Sequence, residues 1–157
     1  MRYLVLTLGR SDRGGPFATA IERYRARADA LSGGLELRSL KASRHAAADE
    51  RRRTDSATLL AAATAAAGRT VLLDERGSSF TTVALTRHVA RLEQRGESRM
   101  VLLVGAADGV EPGLRTQVDE CWSLSPLTLS HDLALVVLLE QLYRVTSLAK
   151  GHPYHRA

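Results

Sequence analysis

Several features that would indicate a particular class of function are scarce in this chain of 157 residues. Its one cysteine, Cys121, allows neither an intrachain disulfide nor a thiolate cluster for zinc, and we expect no metal site. Aromatic residues make up 4% of the chain, too few for a surface that binds single-stranded nucleic acid by stacking. No apolar run approaches the roughly 20 residues of a membrane-spanning helix. The apolar run after Met1 is too short for a signal peptide. We therefore expect a cytoplasmic protein with no membrane partner.

Two common nucleotide-binding motifs are also missing. The first apolar strand is followed by Gly9 and Arg10 instead of a Gly-x-Gly-x-x-Gly turn. No glycine-rich loop ends in Gly-Lys-Ser or Gly-Lys-Thr. A dinucleotide-binding fold and a nucleotide hydrolase are therefore both disfavoured.

The composition itself is that of an ordinary folded domain. Hydrophobic residues make up 45% and charged residues 25% of the chain. The length suits one domain over residues 1–157, large enough to bury a core without disulfides or metal. A net charge of +5 permits a polyanionic partner such as RNA, although an arginine-rich composition can also arise without one.

Apolar runs alternate with segments of helical spacing along the chain. The predicted strands are residues 2–8, 35–40, 70–74, 100–104 and 121–125. The predicted helices are residues 16–31, a helix that ends near residue 67 after a basic segment at 41–53, then 81–95, 111–118 and 131–150. The alternation predicts an α/β fold with a mostly parallel sheet flanked by helices.

The predicted last helix is apolar on most of its faces. Such a helix is buried on more than one side. In so short a chain we expect a second subunit to supply part of the covering surface, which predicts a homodimer.

Three strand ends are candidate ligand sites, because ligands of open α/β sheets bind beyond the carboxyl ends of the strands. They are Leu73 with Asp74, Gly105, and the segment after Trp122.

Five motifs in a fixed order resemble one family. They are Leu72-Leu73-Asp74, then 102–109 (Leu-Leu-Val-Gly-Ala-Ala-Asp-Gly), 122–131 (Trp-Ser-Leu-Ser-Pro-Leu-Thr-Leu-Ser-His), 140–144 (Glu-Gln-Leu-Tyr-Arg) and 152–156 (His-Pro-Tyr-His-Arg). The whole chain resembles the small single-domain SPOUT methyltransferases that methylate N3 of a pseudouridine in bacterial large-subunit ribosomal RNA. The resemblance implies S-adenosylmethionine as cofactor, a homodimer, and a trefoil knot near the carboxyl end.

The resemblance also implies which residues hold the cofactor, mainly through their backbone groups. Loop backbone supplies both the donors and acceptors and the apolar slot that adenine needs. The cofactor-binding candidates are Leu73, Gly105, Leu124, Ser125, Pro126, Leu127, Thr128 and Leu129.

Methylation of a pyrimidine N3 requires loss of a proton, so we expect a base or cations that stabilise the anion. The catalytic candidates are His131, Arg144, His152, Tyr154, His155 and Arg156. The tail at 152–156 is expected to reach the cofactor of the second subunit. Structural roles stay open for some of them: His131 with Asp132 can cap the last helix, and His152 and His155 can form a solvated tail. The basic run 51–53 is either a solvated face or an RNA contact.

Three positions depart from the pattern of the resembled family: Ala106, Asp132 and Leu135 replace its glycine, proline and arginine. They fall in the part that should meet the substrate. Two further hypotheses therefore stay open. One is the same N3 chemistry on a free nucleoside or a nucleoside-like small molecule, and the other is an RNA-binding protein without catalysis.

Overall fold

A computed structural model describes residues 1–9 and 14–154. Within these residues the strands are β1 (Arg2–Leu8), β2 (Leu35–Leu40), β3 (Arg69–Ser79), β4 (Arg99–Val104) and β5 (Glu120–Ser123). The helices are α1 (Ala18–Leu31), α2 (Ala48–Ala66), α3 (Thr82–Gln94) and α4 (His131–Ala149), with a 3₁₀ helix at Pro112–Gln117. All strand pairs are parallel in the order β2-β1-β4-β3-β5. The predicted α/β fold is confirmed, and β2 lies at one edge of the sheet.

The sheet is buried on both faces, as parallel sheets are. In β1, Tyr3 and Val5 pack into one apolar cluster with residues of α1, α3 and α4. Leu4 and Leu6 pack into a second cluster with residues of α2. The two faces explain why β1 and β4 are nearly continuous apolar runs.

β3 is longer than predicted. We expected it to end at Asp74, whereas it continues to Ser79 through a shift in register against β5 between Leu73 and Ser78. A Cβ at Gly77 would lie 2.6 Å from the carbonyl carbon of Cys121, so only glycine permits this close approach. The irregular stretch bears Asp74 and Glu75 on the pocket described below.

α2 also begins earlier than the predicted helix, within the basic segment. Asp49 and Glu50 lie in its first turn, where their charges favour the helix dipole. The run 51–53 is therefore helical. The predicted helix at 111–118 is instead the short 3₁₀ helix.

α4 packs against both α1 and α3. Its leucines 135, 138, 139 and 142 are buried within the single chain. Leu133 stays 37% exposed. A second subunit would therefore need to cover less of α4 than the apolar composition of the helix indicated. The homodimer and the knot stay predictions. None of the helices in the described part is long and apolar enough to cross a membrane.

Candidate functional site

The main pocket lies at the carboxyl ends of β3 and β4, where the chain also runs from β5 into α4. Its volume is about 810 Å³, which suits a small-molecule ligand. The walls come from the irregular part of β3, the turn after β4, the 3₁₀ helix and the loop at residues 124–130. The pocket therefore occupies the edge of the sheet at which the sequence placed its candidate ligand sites.

Most of the predicted cofactor residues line this pocket. The lining residues among them are Leu73, Gly105, Leu124, Ser125, Leu127, Thr128 and Leu129. Pro126 lies in the same loop but does not line the cavity. The structure thus brings together residues that are up to 56 positions apart in the chain.

Side-chain hydrogen bonds shape the loop at residues 124–130. The Ser123 hydroxyl donates to the carbonyl of Ser125 at 2.9 Å, and the backbone N–H of Leu127 donates to the Ser125 hydroxyl at 2.9 Å. The Thr128 hydroxyl donates to Glu75 at 3.0 Å. Among the described residues, the backbone groups of Thr128 and Leu129 have no hydrogen-bond partner. Leu127 is 72% exposed. The loop thus offers backbone groups and an apolar side chain to a ligand.

The turn after β4 forms the opposite wall. Gly109 donates its N–H to the carbonyl of Ala106 at 2.9 Å. Arg51 of α2 anchors the turn, because its Nε donates to Asp108 at 2.7 Å. The same guanidinium also donates to the carbonyls of residues 45 and 46. Arg51 is therefore engaged within the chain, which counts against its role as a free RNA contact.

A partly buried ion pair between Arg115 and Asp74 lies at the pocket end of β3. Arg115 donates to Asp74 from Nε at 2.9 Å and from Nη2 at 2.8 Å, and the N–H of Arg76 donates to the same carboxylate at 2.9 Å. Burial alone would raise the pKa of Asp74, but the hydrogen bonds and charges of the two arginines outweigh it and lower that pKa. Asp74 stood out as a carboxylate at a strand end. No motif or spacing in the sequence marked Arg115 as a residue of the site.

His131 also lines the pocket. It is the first residue of α4, and its ring contacts Gly105 and Thr7 without capping the helix. Asp132 lies in the first turn, where its charge favours the helix dipole.

The other described catalytic candidates are Arg144, His152 and Tyr154. They form a separate group with Glu140 and Tyr143, which we call the tail cluster. Arg144 donates to Glu140 at 2.6 Å, and Tyr154 donates to the same carboxylate at 3.1 Å. The Arg144 guanidinium lies 4.9 Å from the centre of the Tyr154 ring.

None of the tail-cluster residues lines the main pocket. Two other candidates, His155 and Arg156, lie outside the described residues. Of the described catalytic candidates, the structure therefore brings only His131 to the pocket of the cofactor candidates within one chain.

The departures from the expected pattern fall in different environments. Ala106 lines the pocket. Leu135 of α4 is fully buried, in the apolar cluster that also contains residues of α1 and α3. The expectation that position 135 faces the substrate is therefore wrong for this chain, because that side of α4 packs inward.

Comparison with known proteins identifies the family. A model of predicted SPOUT methyltransferases matches residues 1–155. Ribosomal RNA large subunit methyltransferase H of Anaeromyxobacter sp. is 36% identical over 156 residues, which cover 99% of this chain and 100% of that protein. Proteins of the same name are 54% identical over 88 residues in Thermus thermophilus, covering 56% of this chain and 62% of that one, and 49% identical over 89 residues in Nitrosospira multiformis, covering 57% and 56%. The chain belongs to the SPOUT methyltransferase family, as its motifs predict.

Proposed function

We propose that this protein transfers the methyl group of S-adenosylmethionine to N3 of a pseudouridine in large-subunit ribosomal RNA. The observation that carries the proposal is the pocket, which collects Leu73, Gly105 and most of the loop at 124–129 at the carboxyl end of a parallel sheet. Family membership over residues 1–155 supports the methyl-transfer chemistry. The names of the relatives support ribosomal RNA as the substrate.

The pocket fits S-adenosylmethionine in size and in chemistry. Leu73, Leu124 and Leu129 provide an apolar slot for adenine. The backbone groups of Thr128 and Leu129, which have no partner among residues 1–9 and 14–154, are available to its polar edge. The bound cofactor supplies a methyl group on a positively charged sulfur. The chain's own part is to hold the acceptor nitrogen close and in line, so positioning provides much of the rate.

We further propose that the working site is shared between two subunits of a homodimer. The tail cluster lies apart from the pocket of its own chain, so Arg144, His152, Tyr154, His155 and Arg156 would serve the pocket of the second subunit. The exposed part of α4, including Leu133, is the apolar surface available for that contact. Cations of the tail would stabilise the N3 anion. The implied trefoil knot, which would hold the loop at 124–129, is part of the same proposal.

Methyl transfer from labelled S-adenosylmethionine tests the substrate. The acceptors are large ribosomal subunits, whole ribosomes, naked ribosomal RNA, and free uridine and pseudouridine. Subunits or ribosomes from a strain that lacks this methyltransferase should take up label in the large-subunit RNA. A methyl group on N3 blocks Watson–Crick pairing, so reverse transcriptase should stop one nucleotide before the modified base.

A pocket variant provides the matched control. Gly105→Val would fill the space beside Val110 and should abolish labelling, because a Cβ alone at Gly105 would lie 2.7 Å from that side chain. Label on free nucleosides alone would replace the ribosomal proposal with the small-molecule hypothesis. RNA binding without cofactor binding would favour the non-catalytic hypothesis.

The structure weakens the small-molecule hypothesis. That hypothesis rested in part on the loss of a cation at position 135, but Leu135 is buried away from the pocket. Ala106 is the departure that lines the pocket, and it adds one methyl group to the pocket wall.

A further inference from the structure

The ring of His131 links three segments that meet at the pocket. Its Nδ1 lies 2.6 Å from the carbonyl oxygen of Gly105, at the end of β4. Its Nε2 lies 2.7 Å from the hydroxyl oxygen of Thr7, near the end of β1. The backbone of His131 begins α4 directly after the loop at residues 124–130. We propose that His131 is a positioning residue that sets the width of the cofactor pocket, and that it is neither the base nor the acid of the reaction. This inference rests on the proposed function.

The bond to Gly105 determines the protonation of one ring nitrogen. A carbonyl oxygen only accepts hydrogen bonds, so Nδ1 must carry the proton and donate it. The Nδ1 atom therefore has no lone pair for a substrate proton. This holds whether the ring is neutral or charged.

The bond to Thr7 occupies the other nitrogen. In the neutral ring Nε2 is an acceptor, so the Thr7 hydroxyl donates to it. Thr7 is fully buried, and its hydroxyl needs such a partner. Both ring nitrogens thus have protein partners at short distance, and neither is free to exchange a proton with a substrate.

The link acts across the sheet edge on which the ligand would rest. Thr7 pairs with Val104 in the register of β1 and β4, so the Thr7 side chain and the Gly105 carbonyl lie at adjacent strand ends. His131 joins this edge to the downstream end of the cofactor loop. Without the ring, the carbonyl of Gly105 would lose a partner, and the loop and the turn after β4 would be free to separate.

Two substitutions of His131 each keep one of its two hydrogen bonds and lose the other. The amide of Asn places a nitrogen at the position of Nδ1, so His131→Asn can still donate to Gly105. The amide of Gln reaches the position of Nε2, so His131→Gln can still meet Thr7 but not Gly105. Neither amide titrates, and neither can act as a base. His131→Ala removes both bonds.

Calorimetry with S-adenosylmethionine and turnover measurements on ribosomal acceptors test these variants. His131→Ala and His131→Gln should bind the cofactor about tenfold more weakly, the range of one lost hydrogen bond and some freed backbone. His131→Asn should bind within about threefold of the natural protein and keep most of its kcat. Thr7→Val, which is similar in shape, should fall between the two groups, whereas Thr7→Ser should behave as the natural protein.

A catalytic base would give a different result. In that case Ala, Asn and Gln variants would all bind the cofactor normally and all lose kcat, and the limb of the pH–rate profile that reports a base would disappear in each. That outcome would overturn the proposal. Rescue by Asn supports it, because Asn restores a hydrogen bond and no proton transfer.

A second measurement keeps the inference separate from the proposed function. Long-range ¹H–¹⁵N NMR of the natural protein should show His131 protonated at Nδ1, and His131→Ala should shift the amide signals of residues 105 and 106 while Asn restores them. A ring protonated only at Nε2, or signals unchanged in the Ala variant, would contradict the positioning role even with normal methyl transfer. Failure of the natural protein to bind S-adenosylmethionine would instead remove the proposed function and leave this NMR test standing.

Discussion

The main pocket and the tail cluster are built in different ways. The pocket is made from strand ends and a loop without regular structure, held in place by polar anchors such as Arg51 with Asp108. The tail cluster is made on one helix and the turn that follows it, with Tyr154 packed against Tyr143 at a centroid distance of 4.3 Å. The pocket suits a ligand held by backbone groups, whereas the tail cluster offers cations and phenols outside that pocket. One chain thus presents the two halves of the proposed site in separate places.

Removal of the tail should have the largest effect on activity. Truncation after Lys150 should leave cofactor affinity within about threefold while turnover falls by about a hundredfold or more, the range of lost acid–base or charge stabilisation. Because the truncation also removes Tyr154 from the core, a chain that ends after Tyr154 serves as the milder variant. Calorimetry and the methyl-transfer assay separate the two effects.

Mixed dimers sharpen the same test. A heterodimer of the tail-truncated chain with Gly105→Val contains one intact pocket opposite one intact tail, and it should regain about half of the natural activity. Each variant paired with itself should stay inactive. Full activity of the truncated chain would contradict the shared site.

The next largest effect concerns the anchors of the pocket. Asp74→Asn should lower the free energy of unfolding by about 2 kcal/mol, since it leaves Arg115 without its buried partner while that arginine still reaches solvent. Asp108→Asn, in the more exposed pair with Arg51, should cost less and is the matched control. Urea denaturation at neutral pH compares the two, and an equal loss in both would show that burial does not distinguish them.

The ion pair of Asp74 with Arg115 also predicts how stability depends on pH. The pKa of Asp74 is lowered in the folded protein, so its stabilisation is present above the ordinary carboxyl pKa of about 4 and is lost as pH falls through the lower folded value. The difference in stability between the natural protein and Asp74→Asn should therefore shrink only in acid.

A smaller effect is expected from one methyl group in the pocket. Gly105→Ala should weaken S-adenosylmethionine binding by about tenfold, because its Cβ would lie 2.7 Å from Val110 and the wall must shift. Adding Val110→Ala removes the clashing atom and should restore affinity, and Val110→Ala alone should bind normally. A double variant as weak as Gly105→Ala would mean that the methyl meets the ligand itself.

The smallest effect is expected from the loss of one hydroxyl group in the tail cluster, that of Tyr154. Burial, a hydrogen bond with Tyr24 and the charge of Glu140 raise the pKa of Tyr154 to about 12. Tyr154→Phe keeps the stacking and loses the hydrogen bonds of the hydroxyl to Glu140 and Tyr24, so the free energy of unfolding should fall by about 1 kcal/mol. The pH–rate profile should keep its shape, because the phenol stays protonated in the working range. A lost limb in the profile would assign Tyr154 a proton-transfer role.

Part of the fold and site was predictable from local pattern. β1 and β4 are continuous apolar runs because they are buried on both faces, and both begin and end within one residue of the prediction. The pocket-lining loop was found through its motif. The extension of β3 was missed because its pairing depends on β5, across a bulge that polar residues such as Glu75 do not signal.

The parallel α/β architecture, the family and most of the cofactor-binding candidates at the pocket followed from the amino-acid sequence, since periodicity and motifs are properties of short segments. Only the tertiary structure decided that the tail cluster lies apart from the pocket, that Leu135 faces the core, and that His131 meets Thr7 across 124 positions of the chain. The physical reason is that such contacts depend on which strand ends become neighbours in the order β2-β1-β4-β3-β5, and no local pattern encodes that order.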